Sequence, residues 1–248
     1  MTATIASPQN ARLKAVRRLH GKRERERRQA FVAEGEDLLA AAQRAGRAPV
    51  EGYRLAGTGL GGEDFTDVAR PALAAASTLG SGTRVIAVHA QRWSAAAGPL
   101  CVYLHGVADP GNVGTILRSA EAFGASCVAL GPGCADPHSP KAVRASTGAI
   151  FSVPLARVRA TGELPGVLVA LDAHAGEDIE AVCGALQGPV TVLVGAEREG
   201  LPPDVAQQAA RVARIPIASE SLNAAMAATV ALYEFARGHN RSSRVRAS

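Results

Sequence analysis

Short runs of consecutive apolar residues alternate with helical stretches in the second half of the chain. These runs are LCVYLHGV, CVALG, GVLVALD and VTVLVGAE, with RVARIPIA as a shorter fifth. Continuous apolar runs of this length are typical of parallel strands that are covered on both faces. The stretch SLNAAMAATVALYEFARGH has apolar residues at helical spacing, which predicts a last helix that starts near Ser221 or Asn223 and packs on the sheet. The pattern from Leu100 onward therefore predicts an α/β domain with a parallel sheet.

The first part of the chain has shorter elements. A basic helix, a strand around Phe31 to Ala33 and a second helix ending at Gly46 are followed by the strands VEGYRLA and TRVIAVH. Between these two strands we predict helical material that Pro71 interrupts. The predicted organisation is a small α/β domain at 1–93, a linker at 94–99, a second domain at 100–240 and a basic tail at 241–248.

Composition narrows the class of protein. Hydrophobic residues make up 47% of the 248 residues and aromatic residues 4%, which is enough for cores built from Ala, Val and Leu. The four cysteines form no CxxC pair, a usage typical of reduced thiols. No apolar run reaches the roughly 18 residues of a membrane span, and the N-terminus lacks the apolar segment of a signal peptide. We therefore expect a cytoplasmic protein without membrane contact.

Positive charge is concentrated at the start of the chain. The formal net charge is +5, yet residues 1–28 alone hold nine Lys or Arg against two Glu. Such a block is typical of an arm that binds phosphates, and also of a solvated helix face. The sequence GTGLGG at 57–62 matches a dinucleotide-binding fingerprint, but no βαβ unit with a following acidic residue surrounds it. We interpret it as a surface loop, and a nucleotide-dependent oxidoreductase has no other support.

The stretch DPGNVGTILRSAEAFGA follows the first apolar run and predicts a helix that begins near Val113 with Asn112 as its cap. Gly114 lies one turn before Arg118 on the same face, where a missing side chain leaves a bare patch. An arginine near a helix N-terminus is suited to bind a phosphate or a developing oxyanion. Alternatively, Arg118 pairs with Glu121 or another acidic residue and only holds the helix in place.

Two further stretches stand at the ends of predicted strands. In VTVLVGAEREGLPPD, the glycines Gly195 and Gly200 allow a ligand to approach the backbone, and Glu197 is placed to accept hydrogen bonds. Alternatively, these glycines only shape a turn before the next helix. In RIPIASESLNAAMA, Ser221 and Asn223 precede the last helix, where each would also serve as an ordinary cap.

Taken together and in order, the three stretches resemble the motifs of the SpoU (TrmH) family of RNA 2′-O-methyltransferases, a branch of the SPOUT superfamily. The motifs are N-x-G-x-x-x-R, G-x-E-x-x-G-L, and I-P followed by S-L-N. The stretches SPQNARLKAVRRL and FVAEGEDLL are similar to the family's N-terminal RNA-binding domain, and KAVRASTGAIFSVPL to its middle segment. The resemblance therefore covers nearly the whole chain.

The resemblance implies an α/β fold whose C-terminal parallel-sheet domain has a deep trefoil knot, preceded by a small α/β RNA-binding domain that resembles a ribosomal protein. It also implies S-adenosylmethionine as cofactor, held by the loops around 195–201 and 215–223, and no metal. The implied cofactor contacts are Leu193, Gly195, Ala196, Ile215, Ile217, Leu222 and Asn223.

The family transfers a methyl group to a ribose 2′-hydroxyl, and the resemblance assigns a role to each polar motif residue. Arg118 would serve the acceptor side, facing the cofactor of the other subunit of a homodimer. Asn112 and Ser221 would fix the target nucleotide, Glu197 would orient amide or guanidinium donors, and Asn223 would brace the cofactor loop. The last helix would contribute to the dimer interface.

A structured RNA is the expected partner, and a separate N-terminal domain favours ribosomal over transfer RNA. The predicted RNA-binding residues are Arg12, Lys14, Arg17, Arg18, Lys22, Arg23, Lys141 and Arg144. For Lys141 and Arg144, a solvated helix face is the alternative.

The chain departs from the family pattern at two places. The loop from Ile217 to Ser221 is about two residues shorter than usual and lacks the customary Gly, and Ala225 replaces a residue that is often Ser. If the shorter loop prevents cofactor binding, the chain would instead be a catalytically silent RNA-binding or ribosome-assembly protein with the same fold.

Overall fold

A computed structural model describes residues 4–79, 82–218 and 221–245. It divides into two compact units, each with its own sheet. The first unit comprises Met1–Gln91 and Asp136–Ser152, and the second comprises Arg92–Ala135 and Val153–Ser248. The segment 136–152 lies within the predicted second domain 100–240, but in the structure it groups with the N-terminal part of the chain.

The first unit is built on a four-stranded sheet with the order β1-β4-β2-β3. Its strands pair antiparallel except for β2 and β3, which are parallel. Its elements are α1 (Ala11–Arg18), α2 (Lys22–Arg28), β1 (Ala30–Glu34), α3 (Glu36–Arg44), β2 (Glu51–Leu55), β3 (Phe65–Val68), α4 (Arg70–Ala76), β4 (Val85–Ala90), α6 (Pro140–Ala145) and α7 (Ala149–Ser152).

Two predictions for this unit were wrong. Residues 65–68 form the strand β3, and Pro71 lies in the first turn of α4 and does not interrupt a helix. The reason is that a proline at the start of a helix loses no hydrogen bond, since that N–H has no partner inside the helix. The GTGLGG loop joins β2 to β3 without a helix, and Gly57, Gly59, Gly61 and Gly62 all have positive φ. It is therefore a turn-rich loop, in agreement with the prediction, and it lacks the helix that would bind a dinucleotide.

The second unit is built on a seven-stranded sheet with the order β7-β6-β5-β10-β8-β11-β9, and all of its named pairs are parallel. Its elements are β5 (Leu100–Leu104), α5 (Pro110–Ala122), β6 (Cys127–Leu130), β7 (Leu155–Arg157), β8 (Val167–Leu171), β9 (Glu177–Asp178), α8 (Ile179–Ala185), β10 (Val190–Val194), α9 (Pro203–Ala206), β11 (Arg211–Arg214) and α10 (Ala224–Val245), with a short 3₁₀ helix at Thr161–Glu163.

The predicted parallel sheet is confirmed. Each of the five apolar runs contains one strand, and every residue of β5, β6 and β10 is buried. The short strands β7 and β9 were not predicted, because three and two residues carry no readable period. The last helix extends to Val245, so it includes most of the stretch expected to form a tail, and residues 246–248 lie outside the described part.

The cysteines are thiols, and none of the four forms a disulfide. Cys101 and Cys127 are buried, whereas Cys134 and Cys183 are partly exposed. In the described residues, we found no helix that is long and apolar enough to cross a membrane.

A buried ion pair holds segment 136–152 to helix α2 within the first unit. Nε of Arg25 donates to the Asp136 carboxylate at 2.8 Å, and the guanidinium also donates to the carbonyls of Leu19 and His20. Burial alone would raise the pKa of Asp136, but hydrogen bonds from His138 and the charge of Arg25 hold it well below its ordinary value. The Arg25 side chain is 4% exposed, so removal of its partner leaves a charge without compensation.

We expect Asp136→Ala to lower the free energy of unfolding by about 3 to 5 kcal/mol, the usual effect of breaking a buried pair. Urea unfolding at pH 7 measures this change. Glu24→Ala is the matched control, because it breaks the pair with Arg27, whose side chain is 67% exposed, and should leave the midpoint unchanged. Equal effects of the two substitutions would contradict the argument.

His89 makes the stability of the first unit depend on pH. Its ring lies 4.7 Å from that of Phe151 and 5.8 Å from that of Phe31. Burial lowers the pKa of His89 from 6.5 to about 4, and the charge of Arg47 acts in the same direction. Between these two values the unfolded chain binds a proton that the folded chain does not, so stability falls as the pH falls through this window.

His89→Phe should therefore remove part of the acid sensitivity. We expect the wild-type protein to lose roughly 3 kcal/mol more than the variant between pH 7 and pH 4, the amount that corresponds to the shift in pKa. Urea unfolding of both proteins at pH 7, 6, 5 and 4 tests this. Parallel pH curves for the two proteins would show that His89 does not carry the effect.

Candidate active site

The three sequence motifs meet at the carboxyl edge of the seven-stranded sheet. They follow β5, β10 and β11, and the register pairs Leu104 of β5 with Val194 of β10. Because parallel strands end at a common edge, the loops that follow them lie at the same edge, with β8 between β10 and β11. In open α/β sheets this edge is where ligands bind.

A chain of hydrogen bonds connects the three motifs. The side-chain amide of Asn112 donates to the Glu197 carboxylate. Nδ2 of Asn223 donates to Oδ1 of Asn112 at 3.2 Å, and Oδ1 of Asn223 accepts from the backbone N–H of Ala225 at 2.9 Å. Glu197 thus sets the orientation of Asn112 and, through it, of Asn223. Asn223 in turn caps α10, as expected for one of the two predicted positions.

Asp109, and not Asn112, caps helix α5. Its side chain accepts from the backbone N–H of Asn112 at 3.0 Å, and Pro110 occupies the first position of the helix. The predicted cap was therefore wrong by three residues. The reason is that a carboxylate followed by proline starts the helix one turn earlier. As a result, the Asn112 side chain is not used as a cap and reaches Glu197.

Arg118 is exposed on α5. Among the residues whose side chains the structure describes, it has no hydrogen-bond or ion-pair partner, and the alternative of a pair with Glu121 gains no support. Gly114 is buried, so the expected bare patch beside Arg118 is wrong. Because the rest of the unit covers Gly114, no open surface remains at this position.

A cavity of about 370 Å³ opens at the same edge of the sheet. Among the predicted cofactor contacts, Gly195, Ala196, Ile215, Ile217 and Leu222 line it. Leu193 is fully buried inside β10, and Asn223 lies outside the lining. The volume is in the range of small-molecule sites, which is roughly 300 to 1,000 Å³.

The loop after β8 forms one wall of this cavity, and sequence reasoning missed it. Asp172 and His174 line the cavity, and the Asp172 carboxylate accepts from the backbone N–H of His174 at 2.8 Å. The signal was present in the sequence: GVLVALD was predicted as a strand of the same parallel sheet, so its carboxyl end belongs to the same edge.

The two ends of loop 195–201 lie in direct backbone contact at Gly195. A Cβ atom there would lie 2.1 Å from the carbonyl carbon of Gly200 and 2.4 Å from the nitrogen of Leu201. The loop closes on itself, since Ala196 and Gly200 exchange backbone hydrogen bonds of 3.2 and 3.0 Å. Gly200 has a φ of +66°, which favours glycine. The glycines therefore shape the loop and also permit this close backbone contact.

Ser221 lines the cavity and is exposed. Residues 219 and 220, at the centre of the loop predicted to be short, lie outside the described residues. Ala225, which replaces a frequent serine of the family, is buried in the first turn of α10.

The predicted RNA-binding residues fall into two groups. Arg12 donates to Thr66 and lies over the ring of Tyr53, Arg17 donates to two backbone carbonyls, and Arg144 donates to Thr78. These three thus make contacts within the first unit. The other five, Lys14, Arg18, Lys22, Arg23 and Lys141, are exposed, as are Arg12 and Arg144, and Lys22 pairs with Glu26 at 3.9 Å. In the described part of the chain, no cluster of three or more His, Cys, Asp or Glu side chains has the arrangement of a metal site.

Comparison with known proteins gives consistent results. The SpoU rRNA Methylase family matches residues 99–233. A 23S rRNA uridine 2′-O-methyltransferase of Streptomyces viridochromogenes is 39% identical over 52% of this chain and 49% of its own length, so the aligned part spans about half of that relative. A protein of Synechocystis named as an uncharacterized tRNA/rRNA methyltransferase is 30% identical over 95% of this chain and 94% of its own.

A solved structure covers both units. The rRNA methyltransferase of Sinorhizobium meliloti with bound S-adenosylmethionine has a TM-score of 0.83 and 30% identity, and the match spans 96% of this chain and 98% of that one. These matches confirm the expected enzyme class, a methyltransferase, and the Sinorhizobium meliloti protein among them binds S-adenosylmethionine. The chain belongs to the SpoU rRNA methylase family.

Proposed function

We propose that this protein transfers a methyl group from S-adenosylmethionine to a ribose 2′-hydroxyl of a structured ribosomal RNA. One observation carries the proposal: the hydrogen bonds among Asn112, Glu197 and Asn223 join the three motifs beside a cavity of about 370 Å³. A silent RNA-binding protein has no need for this polar network at the rim of a small-molecule cavity.

The lining of the cavity fits the proposed cofactor. Gly195 and Ala196 offer backbone groups, and Ile215, Ile217 and Leu222 offer apolar surface for an adenine ring. When bound, S-adenosylmethionine supplies the electrophilic methyl group. Ser221 and Asn112 would fix the target nucleotide, Glu197 would orient Asn112, and Asn223 would brace the loop that precedes α10.

Arg118 would act on the acceptor nucleotide. A guanidinium is always protonated in proteins, so it cannot take the proton of the hydroxyl. It can stabilise the negative charge that develops on the ribose oxygen, or bind the adjacent phosphate, which then accepts the proton. Both roles need an arginine that is not paired within its own chain, and the exposed Arg118 meets this condition among the described residues.

A homodimer would bring Arg118 to the cofactor of the other subunit. In its own chain, Arg118 is not part of the cavity lining. Helix α10 carries two exposed apolar side chains seven residues apart, Met226 at 59% and Tyr233 at 47% exposure, which places them on one face. That face is the proposed subunit interface. Sedimentation equilibrium at micromolar concentration should give twice the mass of one chain.

A deep trefoil knot in the second unit is part of the proposal. It rests on the resemblance to the SpoU family, which the family match over residues 99–233 supports. The exposed basic residues of α1 and α2 would bind RNA phosphates, which contribute affinity without sequence information. The proposed ribosomal substrate also implies the predicted cytoplasmic location.

Two measurements test the proposed function. Calorimetric titration of the full chain with S-adenosylmethionine should show one site per chain. Incubation with S-adenosylmethionine carrying a labelled methyl group should then label unmodified ribosomal RNA and leave transfer RNA unlabelled. A folded protein that binds RNA but not S-adenosylmethionine would favour the silent alternative, and labelled transfer RNA would reject the ribosomal assignment.

A further inference from the structure

Trp93, the single tryptophan of the chain, lies under an arginine at the edge of the seven-stranded sheet. The guanidinium carbon of Arg157 is 4.0 Å from the centroid of the Trp93 ring. The backbone on both sides of this contact is held in place: Ser94 N–H donates to the carbonyl of Leu155 at 2.8 Å, and Ser94 pairs with Ala156 alongside β7. The two planar groups therefore form a platform, which we call the Trp93–Arg157 pair.

The pair belongs to the edge of the sheet that carries the active site. Arg157 pairs with Leu130 of β6, Leu130 with Leu104 of β5, and Leu104 with Val194 of β10. All four residues stand at the carboxyl ends of parallel strands. Three strand spacings of about 4.8 Å separate β7 from β10, so the platform lies roughly 14 Å from the loop of Gly195 along this edge.

The surroundings of the pair are positively charged. Arg92 and Arg157 are exposed, and within the described side chains neither has a carboxylate partner. Arg159 follows two residues later. The nearby carboxylate is that of Glu163, which accepts the backbone N–H groups of Arg159 and Ala160 at 2.8 and 2.9 Å. Single-stranded RNA binds to surfaces that offer positive charge for its phosphates and planar groups for its bases. Arginines without carboxylate partners beside an aromatic ring provide both.

We propose that the Trp93–Arg157 pair stacks an unpaired base that flanks the target nucleotide, while Arg92 neutralises the adjacent phosphate. This inference rests on the proposed function, because the edge then guides the substrate strand towards Asn112. If the pair only stabilised the fold, RNA would not change its surroundings and its substitution would not change the affinity for RNA. Stacking by arginine also needs the planar group, which lysine lacks.

The single tryptophan makes the proposal directly measurable. The probe is a ten-nucleotide oligoadenylate, added to the full-length protein while Trp93 fluorescence is recorded. We expect saturable quenching by the single strand and none by an RNA duplex of ten base pairs, whose bases are already stacked. No quenching, or equal quenching by the duplex, would overturn the proposal.

Substitutions separate the contribution of stacking to RNA affinity from the contribution of charge. By anisotropy of labelled oligoadenylate, Arg157→Ala, Arg157→Lys and Trp93→Leu should each weaken binding by about tenfold, the effect of losing one stacked base. Arg214→Ala is the control, because it removes the same charge from β11, where Arg214 pairs with Asp178. Affinities equal to wild type in folded Arg157 and Trp93 variants would refute the proposal.

Calorimetry with S-adenosylmethionine distinguishes a failure of the stacking proposal from a failure of the proposed function. The Trp93 and Arg157 variants should bind it as the wild type does, which also shows that they fold. Wild-type binding of S-adenosylmethionine without quenching by RNA would refute the stacking proposal alone. Absence of cofactor binding in the wild type would refute the proposed function itself.

Discussion

Arg118→Lys is expected to reduce methyl transfer nearly as much as Arg118→Ala, by about 100- to 1,000-fold in kcat, the usual effect of removing one donor to a developing oxyanion. Lysine keeps the charge but not the planar fork of donors that addresses an oxygen and a phosphate together. Both variants should fold normally, since Arg118 is exposed and its side chain makes no hydrogen bond or ion pair with the described residues.

The measurement is single-turnover methyl transfer to the RNA substrate, with cofactor affinity determined separately by calorimetry. Arg44→Lys is the matched control, because Arg44 is also an exposed helical arginine but lies in α3 of the first unit. The expected pattern is a loss of rate with unchanged affinity for S-adenosylmethionine. If Arg118→Lys retained most of the wild-type rate, a point charge would suffice and the proposed role would be wrong.

Gly195→Ala is expected to abolish cofactor binding. The new Cβ would lie 2.1 Å from the carbonyl carbon of Gly200, and this neighbour is backbone, which cannot rotate away as a side chain can. The loop 195–201 must therefore shift, and it lines the cavity together with the residues after β11. We expect an affinity for S-adenosylmethionine at least 100-fold weaker, or a second unit that does not fold, because overpacking strains well-packed sites.

Calorimetry and circular dichroism separate these two results. Gly184→Ala provides the control in the same unit: Gly184 lies in α8, nothing is within 4 Å of an added Cβ, and its φ is not positive. Alanine in a helix should be neutral or stabilise it by up to about 1 kcal/mol. Normal cofactor affinity in Gly195→Ala would mean that the close contact at Gly195 is not essential to the cavity.

The elements that were predicted correctly are those whose burial leaves a clear hydrophobic pattern along the chain. The strands β5, β6, β8 and β10 were predicted because a strand covered on both faces must be apolar along its whole length. The strands β7 and β9 were not, because their three and two residues pair through backbone groups that any sequence provides. The cap of α5 was misplaced, since Asp109 and Asn112 are both good caps and only the backbone decides between them.

The site residues were likewise predicted only where a motif marked them in the sequence. The motif spacing indicated Asn112, Glu197 and Asn223, but their hydrogen bonds join residues up to 111 positions apart and required the structure. The wall formed by Asp172 and His174 lacked a motif and was missed. Similarly, the Trp93–Arg157 pair joins the last residue of the predicted N-terminal domain to a strand that the pattern did not show.

By itself, the sequence determined the class of fold, the parallel sheet, the family and the identity of the motif residues, because burial on two faces and spacing along the chain leave a record in the local pattern. Only the tertiary structure decided which side chains are in contact. It showed that Asn112 is hydrogen-bonded to Glu197 and Asn223, that Arg118 has no partner among the described residues, and that segment 136–152 packs with the first unit. These features depend on contacts between distant parts of the chain, whose free energy is gained only when the chain has folded and which no local pattern encodes.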